Sequence, residues 1–351
     1  SCSRDYGPFV MSEIRVSAER EYEVSLVDNW VKALEEIVEV DNTFVIFPSS
    51  LTDRIPSEFI GERSLVVPDG EAQKSGVIFL QALEKMAGLG LDRQSIVVGI
   101  GGGATTDLAG FLAASYLRGV DWIAIPSTVA GMVDAAIGGK TGINLAAGKN
   151  LAGAFHSPKR VIVDLSWIDS LSPRDVAAGL VESVKCGFIA DPEILHLIAE
   201  SPRSNLREII ERSIRVKAAV VSKDFKESHA REALNYGHTL GHAIERHSNY
   251  EMRHGEAISI GLVFAAQVSV KVSGLDQITA GDHRRILESL GMPTRYRADA
   301  FPDLVEFMKR DKKRRENALR FVTLKCLGET DRSSALTIPE LSEIYQKEIA
   351  R

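Results

Sequence analysis

Three histidines, His238, His242 and His254, stand in two neighbouring clusters at a spacing suited to a metal site: Asn235-Tyr236-Gly237-His238-Thr239-Leu240-Gly241-His242 and Arg253-His254-Gly255-Glu256. His238 and His242 are four residues apart, so on a helix both imidazoles leave from one face. His254 opens the next segment after a short polar break at His247-Ser248-Asn249-Tyr250. Upstream, Glu182 lies in an apolar helical run from Val176 to Ala190, with Lys185 three residues on. A carboxylate and an ammonium on the inner side of such a helix need a partner or a ligand, because an unpaired buried charge is costly. One carboxylate with two or three imidazoles suits a divalent metal that keeps positions open for a substrate. Taken one at a time, the same residues would serve as satisfied core or capping groups.

A second set of residues points to phosphate. Gly99-Ile100-Gly101-Gly102-Gly103-Ala104 follows an apolar strand and precedes a helix, the placing that lets backbone amides approach a pyrophosphate at a helix N-terminus. An acidic residue about twenty positions on would grip the ribose of a dinucleotide. Asp121 has that spacing, but it begins the run Trp122-Ile123-Ala124-Ile125 instead of finishing it, whereas ligands collect at the carboxyl ends of strands. Glu71, in Pro68-Asp69-Gly70-Glu71-Ala72-Gln73-Lys74, is the better candidate, and Asp107 is expected to cap the helix Leu108 to Leu117. Ile125-Pro126-Ser127-Thr128, Asp134, Gly138-Gly139-Lys140-Thr141-Gly142-Ile143-Asn144 and Gly148-Lys149-Asn150 follow. Two glycine-lysine turns in a stretch too rich in glycine for packed core read as built around anions. The spacing of a nucleotide-hydrolysing P-loop is not met, which argues against that chemistry.

The elements that must hold these groups alternate in the first half. Thr43 to Phe47, Ser64 to Val67, Ser95 to Ile100, Trp122 to Ile125 and Arg160 to Val163 read as strands, with helices at Lys74 to Leu89 and Leu108 to Leu117. That is the pattern of a parallel sheet with helices on its faces, a Rossmann-like α/β domain. After Ser170-Leu171-Ser172-Pro173 the period becomes helical: Asp175 to Ile189, Asn205 to Ser222, Ala233 to Ser248, Glu256 to Ser273 and Ile278 to Leu290. The second half is expected to be all-α, with the boundary near 170. The expected division is residues 1–10 as an extension, 11–170 as the α/β domain and 171–351 as the helical domain. A chain of 351 residues is longer than one core usually supports, which fits two domains. A net charge of −6 and a pI near 5.8 argue against nucleic acid or an anionic membrane as the main partner. The longest apolar runs, such as Ile258 to Val270, are interrupted by Ser and Gln, so no membrane span is expected. Cys2, Cys186 and Cys326 have neither zinc-type nor disulfide-type spacing, which favours a reducing, cytoplasmic setting. The basic run from Lys309 to Arg315 reads equally as a solvated turn or a binding segment.

Read together, these motifs resemble the 3-dehydroquinate synthases of the sugar-phosphate cyclase family, from about Val66 to Phe321. The matching segments, in order, are Gly101 to Phe111, Tyr116 to Val120, Val133 to Asn144, Gly148 to Leu151, Gly179 to Glu182, Leu234 to Thr239 and His254 to Ala257. The resemblance implies a dehydroquinate synthase-like fold and two cofactors, NAD and a divalent metal, zinc or cobalt. By it the metal ligands are Glu182, His238 and His254, and His242 either supports those ligands from behind or handles protons. NAD falls to Glu71, Lys74, Gly101, Gly102, Gly103, Asp107, Ser127, Thr128, Lys140, Lys149 and Ser170. The substrate, a seven-carbon sugar-acid phosphate, falls to Lys140, Asn150, Lys185, Lys217, Arg231, Asn235 and Lys312, with Asp134 and Glu227 in the same set. Arg118 matches the arginine that reaches a neighbouring subunit's phosphate in the family homodimer. The implied reaction oxidises one ring hydroxyl with NAD, eliminates phosphate, returns the hydride, then opens and recloses the ring by an aldol step. Where the family often has an acidic residue for the adenosine ribose, Phe47-Pro48-Ser49-Ser50 offers none. A cyclase of neutral sugar phosphates and a metal-dependent polyol dehydrogenase are the alternatives; a cationic pair, Lys217 with Arg231, favours a carboxylate-bearing substrate.

Overall fold

The computed structural model describes residues 12–227, 230–311 and 319–351. The chain runs β1 (Ser12–Ser17), β2 (Glu21–Val27), α1 (Trp30–Glu35), β3 (Thr43–Pro48), β4 (Ser64–Val67), α2 (Gly76–Gly88), β5 (Ile96–Gly101), α3 (Gly103–Ser115) and β6 (Asp121–Pro126). It continues with β7 (Lys140–Leu145), β8 (Gly148–Phe155), β9 (Arg160–Asp164), α4 (Pro173–Ile189), α5 (Glu193–Glu200), α6 (Leu206–Lys223), α7 (His238–His247) and α8 (His254–Ser273). The last elements are α9 (Gln277–Ser289), α10 (Phe301–Asp311), β10 (Phe321–Cys326), β11 (Glu329–Ser333) and α11 (Ile338–Glu348). Two compact units result. The first takes the described residues up to Leu171 with Lys217–Lys226; the second takes Ser172–Val216 and the described residues from Glu227 to Arg351.

In the first unit a seven-stranded sheet has the order β1-β2-β9-β6-β5-β3-β4 among the described residues. The β1–β2 pair is antiparallel and every other pairing is parallel. β3 and β5 are buried along their whole length, as expected of strands covered on both faces. Register aligns the carboxyl ends: Ile46 pairs with Gly99 on one side of β3, and Pro48 pairs with Val67 on the other. Gly101, Pro48 and Val67 therefore lie in a row at one edge, where ligands of parallel sheets collect. A Cβ built on Gly99 would stand 2.6 Å from the Ala109 Cβ, so glycine there lets α3 settle directly on β5.

The stretch expected to wrap an anion is a β-hairpin. β7 pairs with β8, Lys140 opposite Phe155 and Gly142 opposite Gly153. A Cβ on Gly153 would lie 2.1 Å from the Thr141 carbonyl oxygen, so these glycines serve strand-to-strand contact. Lys140 begins this hairpin and Lys149 follows its tip.

The second unit is helix-rich, with one hairpin among the described residues, β10–β11, that the helical period does not reveal. α4 starts where Ser172 accepts from the Asp175 amide at 3.1 Å, with Pro173 at the first helical position. Its residues from Ala178 to Ile189 are buried, Glu182 and Lys185 among them. α8 is long and apolar enough to cross a membrane by length and composition, contrary to the expectation from its Ser and Gln; most of it is buried within this unit. Helix packing here depends on missing side chains. A Cβ on Gly261 would stand 2.0 Å from the Gly237 carbonyl oxygen, and one on Gly255 would stand 1.9 Å from that of Ala178. The expected helix Ala233 to Ser248 begins later, at His238, because Ala230–Asn235 forms a 3₁₀ turn and Gly237 takes a left-handed φ of 79°.

Candidate active site

Three helices of the second unit carry one cluster. Glu182 comes from α4, His238 from the first position of α7 and His254 from the first position of α8. The Gly255–Ala178 approach brings the start of α8 onto α4, and that start is fixed further by ion pairs. Arg174 donates to Glu256 at 2.5 and 2.9 Å, and Arg253 donates to Asp175 at 2.5 Å. The imidazoles converge on a single oxygen: Glu182 Oε1 is 3.5 Å from His238 Nε2 and 3.3 Å from His254 Nε2. These spacings are near the edge, about 3.3 Å, of a tetrahedron with metal–ligand bonds of about 2.0–2.1 Å.

The hydrogen bonds on the far side of each ring decide what the near side offers. His238 Nδ1 donates to the Tyr236 carbonyl at 3.0 Å, and His254 Nδ1 donates to Glu245 Oε2 at 3.1 Å. Nε2 of His238, and that of His254 once it gives up its proton, would then present lone pairs toward Glu182 Oε1, a buried oxygen. Three lone pairs aimed together repel unless a cation stands between them. The donor set of one carboxylate and two neutral imidazoles fits a divalent metal with an open position. Lys185 donates to the other oxygen, Glu182 Oε2. Burial alone would raise the Glu182 carboxyl, but Lys185 and the imidazoles outweigh it and hold it well below the ordinary carboxylate range. Burial, reinforced by Lys185, pushes His238 down to about 3. His254, partly exposed, goes the other way: against desolvation, Glu182 and Glu245 raise it to about 10.

His242 lies beside this group, its ring centroid 5.1 Å from that of His238 and 5.9 Å from that of His254, and its side chain is half exposed. Glu245, which sequence reasoning misses, is buried and makes the hydrogen bond that sets the His254 tautomer. A faint signal exists: His238, His242 and Glu245 follow the i, i+4, i+7 pattern of one helix face. Elsewhere in this unit Asn235 donates to Glu227 at 3.0 Å, and Arg231 is 2% exposed. Glu232 receives Arg332 at 2.7 Å and Arg320 at 3.2 Å, so it belongs to other arginines than Arg231. Lys312 lies outside the described residues.

The first unit gathers the other set. The α3 N-terminus follows β5 directly, capped by Gly102 with no side chain on its amides. A Cβ on Gly101 would stand 2.3 Å from Thr105 Oγ1, itself buried without a hydrogen-bond partner, and one on Gly103 would stand 2.9 Å from Ala135. An uncapped helix start beside a strand end, floored by glycine and an unsatisfied hydroxyl, fits the pyrophosphate of a dinucleotide. Asp107 is not a cap: it lies inside α3 and accepts from the buried Lys74 ammonium at 2.6 Å. Burial pushes its carboxyl up to about 6 against the pull of Lys74. Lys74 also donates to Asn150, whose backbone has φ 55°. Glu71 accepts from Asn144 at 2.7 Å. Lys217 Nζ donates to the Asp134 carboxylate and carbonyl, each at 2.5 Å. Ser127 is buried, its amide on the Gly101 carbonyl at 2.8 Å, while the Thr128 hydroxyl accepts from the Gly131 amide at 3.1 Å. Ser170 donates to the Trp167 carbonyl within its own turn, at 2.6 Å. Arg118 is exposed at φ 66°, next to Leu117 at φ 50°. Asp121 is paired with Arg20 at 2.6 Å and Lys159 at 3.4 Å, as its place at the amino end of β6 suggests.

Residues 64–178 match the family model described as 3-dehydroquinate synthase N-terminal, and residues 179–314 match the one described as 3-dehydroquinate synthase C-terminal. The 3-dehydroquinate synthase of Streptomyces avermitilis is 53% identical over 268 residues, 74% of each chain. Among solved structures, a 2-deoxy-scyllo-inosose synthase complexed with carbaglucose-6-phosphate, NAD+ and Co2+ superposes with a TM-score of 0.84 at 25% identity, covering 96% of this chain and 100% of the other. The 2-epi-5-epi-valiolone synthase of Streptomyces hygroscopicus, with NAD+ and Zn2+ bound, gives 0.83 at 21% identity, covering 94% and 98%; at that identity it speaks for the fold alone.

Proposed function

The chain belongs to the 3-dehydroquinate synthase family, and from that membership we propose that it converts 3-deoxy-D-arabino-heptulosonate 7-phosphate to 3-dehydroquinate and inorganic phosphate in the shikimate pathway. In class it is a carbon–oxygen lyase acting on phosphate. The observation that carries this reading to the residues is the meeting of Glu182, His238 and His254 around one unsatisfied oxygen. NAD and a divalent ion, zinc or cobalt, supply a temporary hydride acceptor and a Lewis acid for adjacent substrate hydroxyls, and the net reaction leaves no change in oxidation state.

We divide the labour as follows. Residues 171–351 form the metal and substrate domain. There Glu182, His238 and His254 hold the ion, Glu245 keeps His254 in the right tautomer, and Lys185 neutralises the second oxygen of Glu182. Residues 11–170 form the NAD domain: the uncapped α3 amides with Gly101, Gly102 and Gly103 take the pyrophosphate. Glu71, Lys74, Asp107, Ser127, Thr128, Lys140, Lys149 and Ser170 line the rest. The substrate is anionic at both ends, so a chain of net charge −6 must concentrate cations locally. Lys140, Lys185, Lys217, Arg231 and Lys312 supply that charge, and Asn150 and Asn235 add neutral amide hydrogen bonds. Asp134 and Glu227 orient Lys217 and Asn235, a reading their hydrogen bonds support. His242, half exposed beside the metal ligands, moves protons. We further propose a cytoplasmic homodimer in which Arg118 reaches a partner's phosphate; exposed Val77 and Leu80, three apart on α2, are apolar surface suited to burial between copies.

Cyclisation of a neutral sugar phosphate is the second reading, favoured by the likeness to the carbaglucose-6-phosphate complex. Arg231 separates the two. If it grips the substrate carboxylate, Arg231→Ala costs roughly 2 to 4 kcal/mol in turnover of the acid substrate while NAD and metal binding hold, and Arg231→Lys recovers only part. Equal losses on the acid substrate and a neutral sugar phosphate contradict the carboxylate assignment.

A further inference from the structure

Histidine is a demanding core residue, because both ring nitrogens need partners once water is excluded. His283, on α9, is fully buried, and burial pushes it down to about 4, so the ring is neutral. Its Nδ1 lies 2.8 Å from the Thr279 carbonyl, one turn back on the same helix. A carbonyl only accepts, so Nδ1 carries the hydrogen and Nε2 keeps a lone pair. That lone pair receives the Tyr236 hydroxyl at 2.9 Å. Ser269, also beside this hydroxyl, commits its own hydrogen to the Ala265 carbonyl at 2.6 Å. The face of the His283 ring stacks on Phe188, with centroids 3.4 Å apart and planes 11° apart, and Phe188 stands on α4 six residues beyond Glu182.

Tyr236 joins this anchor to the metal cluster. Its hydroxyl faces α9, while its carbonyl accepts from His238 Nδ1 at 3.0 Å and so fixes which way the His238 ring turns. Tyr236 belongs neither to the 3₁₀ turn Ala230–Asn235 nor to α7, and the α7 ladder begins one residue later, with the Gly241 amide on the Gly237 carbonyl at 3.1 Å. Gly237, with φ 79°, makes the joint that follows pliable. The helix therefore leaves the Tyr236 carbonyl unheld, and the buried side chain has to keep that residue in place. We propose that His283 is a positioning residue for the metal ligand His238: it pins Tyr236 by the hydroxyl, and Tyr236 pins the imidazole by its carbonyl. The same ring seats α9 against the helix that carries Glu182, so it bears on two ligands from two sides. The proposal rests on the metal reading of Glu182, His238 and His254 and adds a residue that acts on them from outside the ligand set.

Titration of the metal-free protein with Co2+, followed by its visible bands, reads affinity and ligand geometry without turnover. His283→Phe keeps an aromatic ring against Phe188 and removes the acceptor; it should weaken Co2+ about tenfold and alter the bands. Tyr236→Phe breaks the same bond from the other side and should do likewise. The double variant should bind no more weakly than either single one, because both remove one link. His283→Gln, whose amide oxygen can accept from Tyr236, should recover most of the affinity. If His283→Phe lowers Tm while Co2+ affinity and bands stay as in wild type, the histidine is a core staple and the proposal is wrong. Losses that add in the double variant contradict action through Tyr236. A wild-type protein that binds no Co2+ overturns the metal reading itself, a result distinct from the other two.

Discussion

A proton is the smallest cation that can separate the Glu182 carboxylate from two imidazole nitrogens, and in the metal-free protein His254 carries it. Desolvation opposes that charge, but Glu182 and Glu245 raise the group to about 10, from an ordinary value of 6.5. The sign follows: this histidine stabilises the metal-free fold fully below its ordinary range, and the contribution is lost as pH rises through about 10. A metal needs the same lone pair, so its affinity should rise with pH across that window, by up to about tenfold per unit. His238, pushed down to about 3, is already neutral and releases nothing. Metal binding near neutrality should therefore expel one proton, measurable by calorimetry in buffers of different ionisation enthalpy; none would contradict a protonated His254, and two would contradict a neutral His238. Glu245→Gln should weaken the metal by about ten- to a hundredfold. The cluster is legible in the sequence because imidazole is scarce and its spacing informative, although spacing alone leaves His242 as good a candidate as His254 and only the family resemblance singles out Glu182, His238 and His254. Glu245 is not, because a glutamate on a polar helix face has no distinguishing mark until the fold brings it to His254.

At the level of elements, the parallel strands and core helices are readable because apolar period and β-branched runs coincide with burial. Ser64–Val67 falls where expected to the residue. The expected strands omit β1, although Ile14 and Val16 alternate there with Glu13 and Arg15. They omit β7 and β8 because glycine there mimics a loop, while its purpose, the close approach of two strands, depends on a partner the local sequence does not show. Glycine in the helices hides its purpose in the same way. Gly255 and Gly281 look alike in sequence, yet a Cβ on Gly255 would collide with Ala178 at 1.9 Å, whereas one on Gly281 would meet nothing within 4 Å. Gly255→Ala should cost about 1–3 kcal/mol and weaken metal binding, because it pushes the start of α8 off α4. Gly281→Ala, inside α9, should stabilise by about 0.5–1 kcal/mol. Thermal unfolding of both, with metal titration of the first, checks the pair; a neutral Gly255→Ala would mean that this contact does not position His254.

At the scale of the whole molecule the chain carries two sets of residues, one in each unit: a helix start suited to an anion, and a cluster of one carboxylate and two imidazoles suited to a metal. What separates a cyclase from a dehydrogenase is the fate of the hydride, which a dehydrogenase releases and a cyclase of this family returns to the same substrate. The most direct measurement is phosphate release by the metal-loaded protein from the seven-carbon acid phosphate, with NAD far below substrate and NADH absorbance followed in parallel. The account predicts many phosphates released per NAD with no lasting NADH. NADH accumulating in step with product, or no phosphate released while the substrate is oxidised, would contradict it.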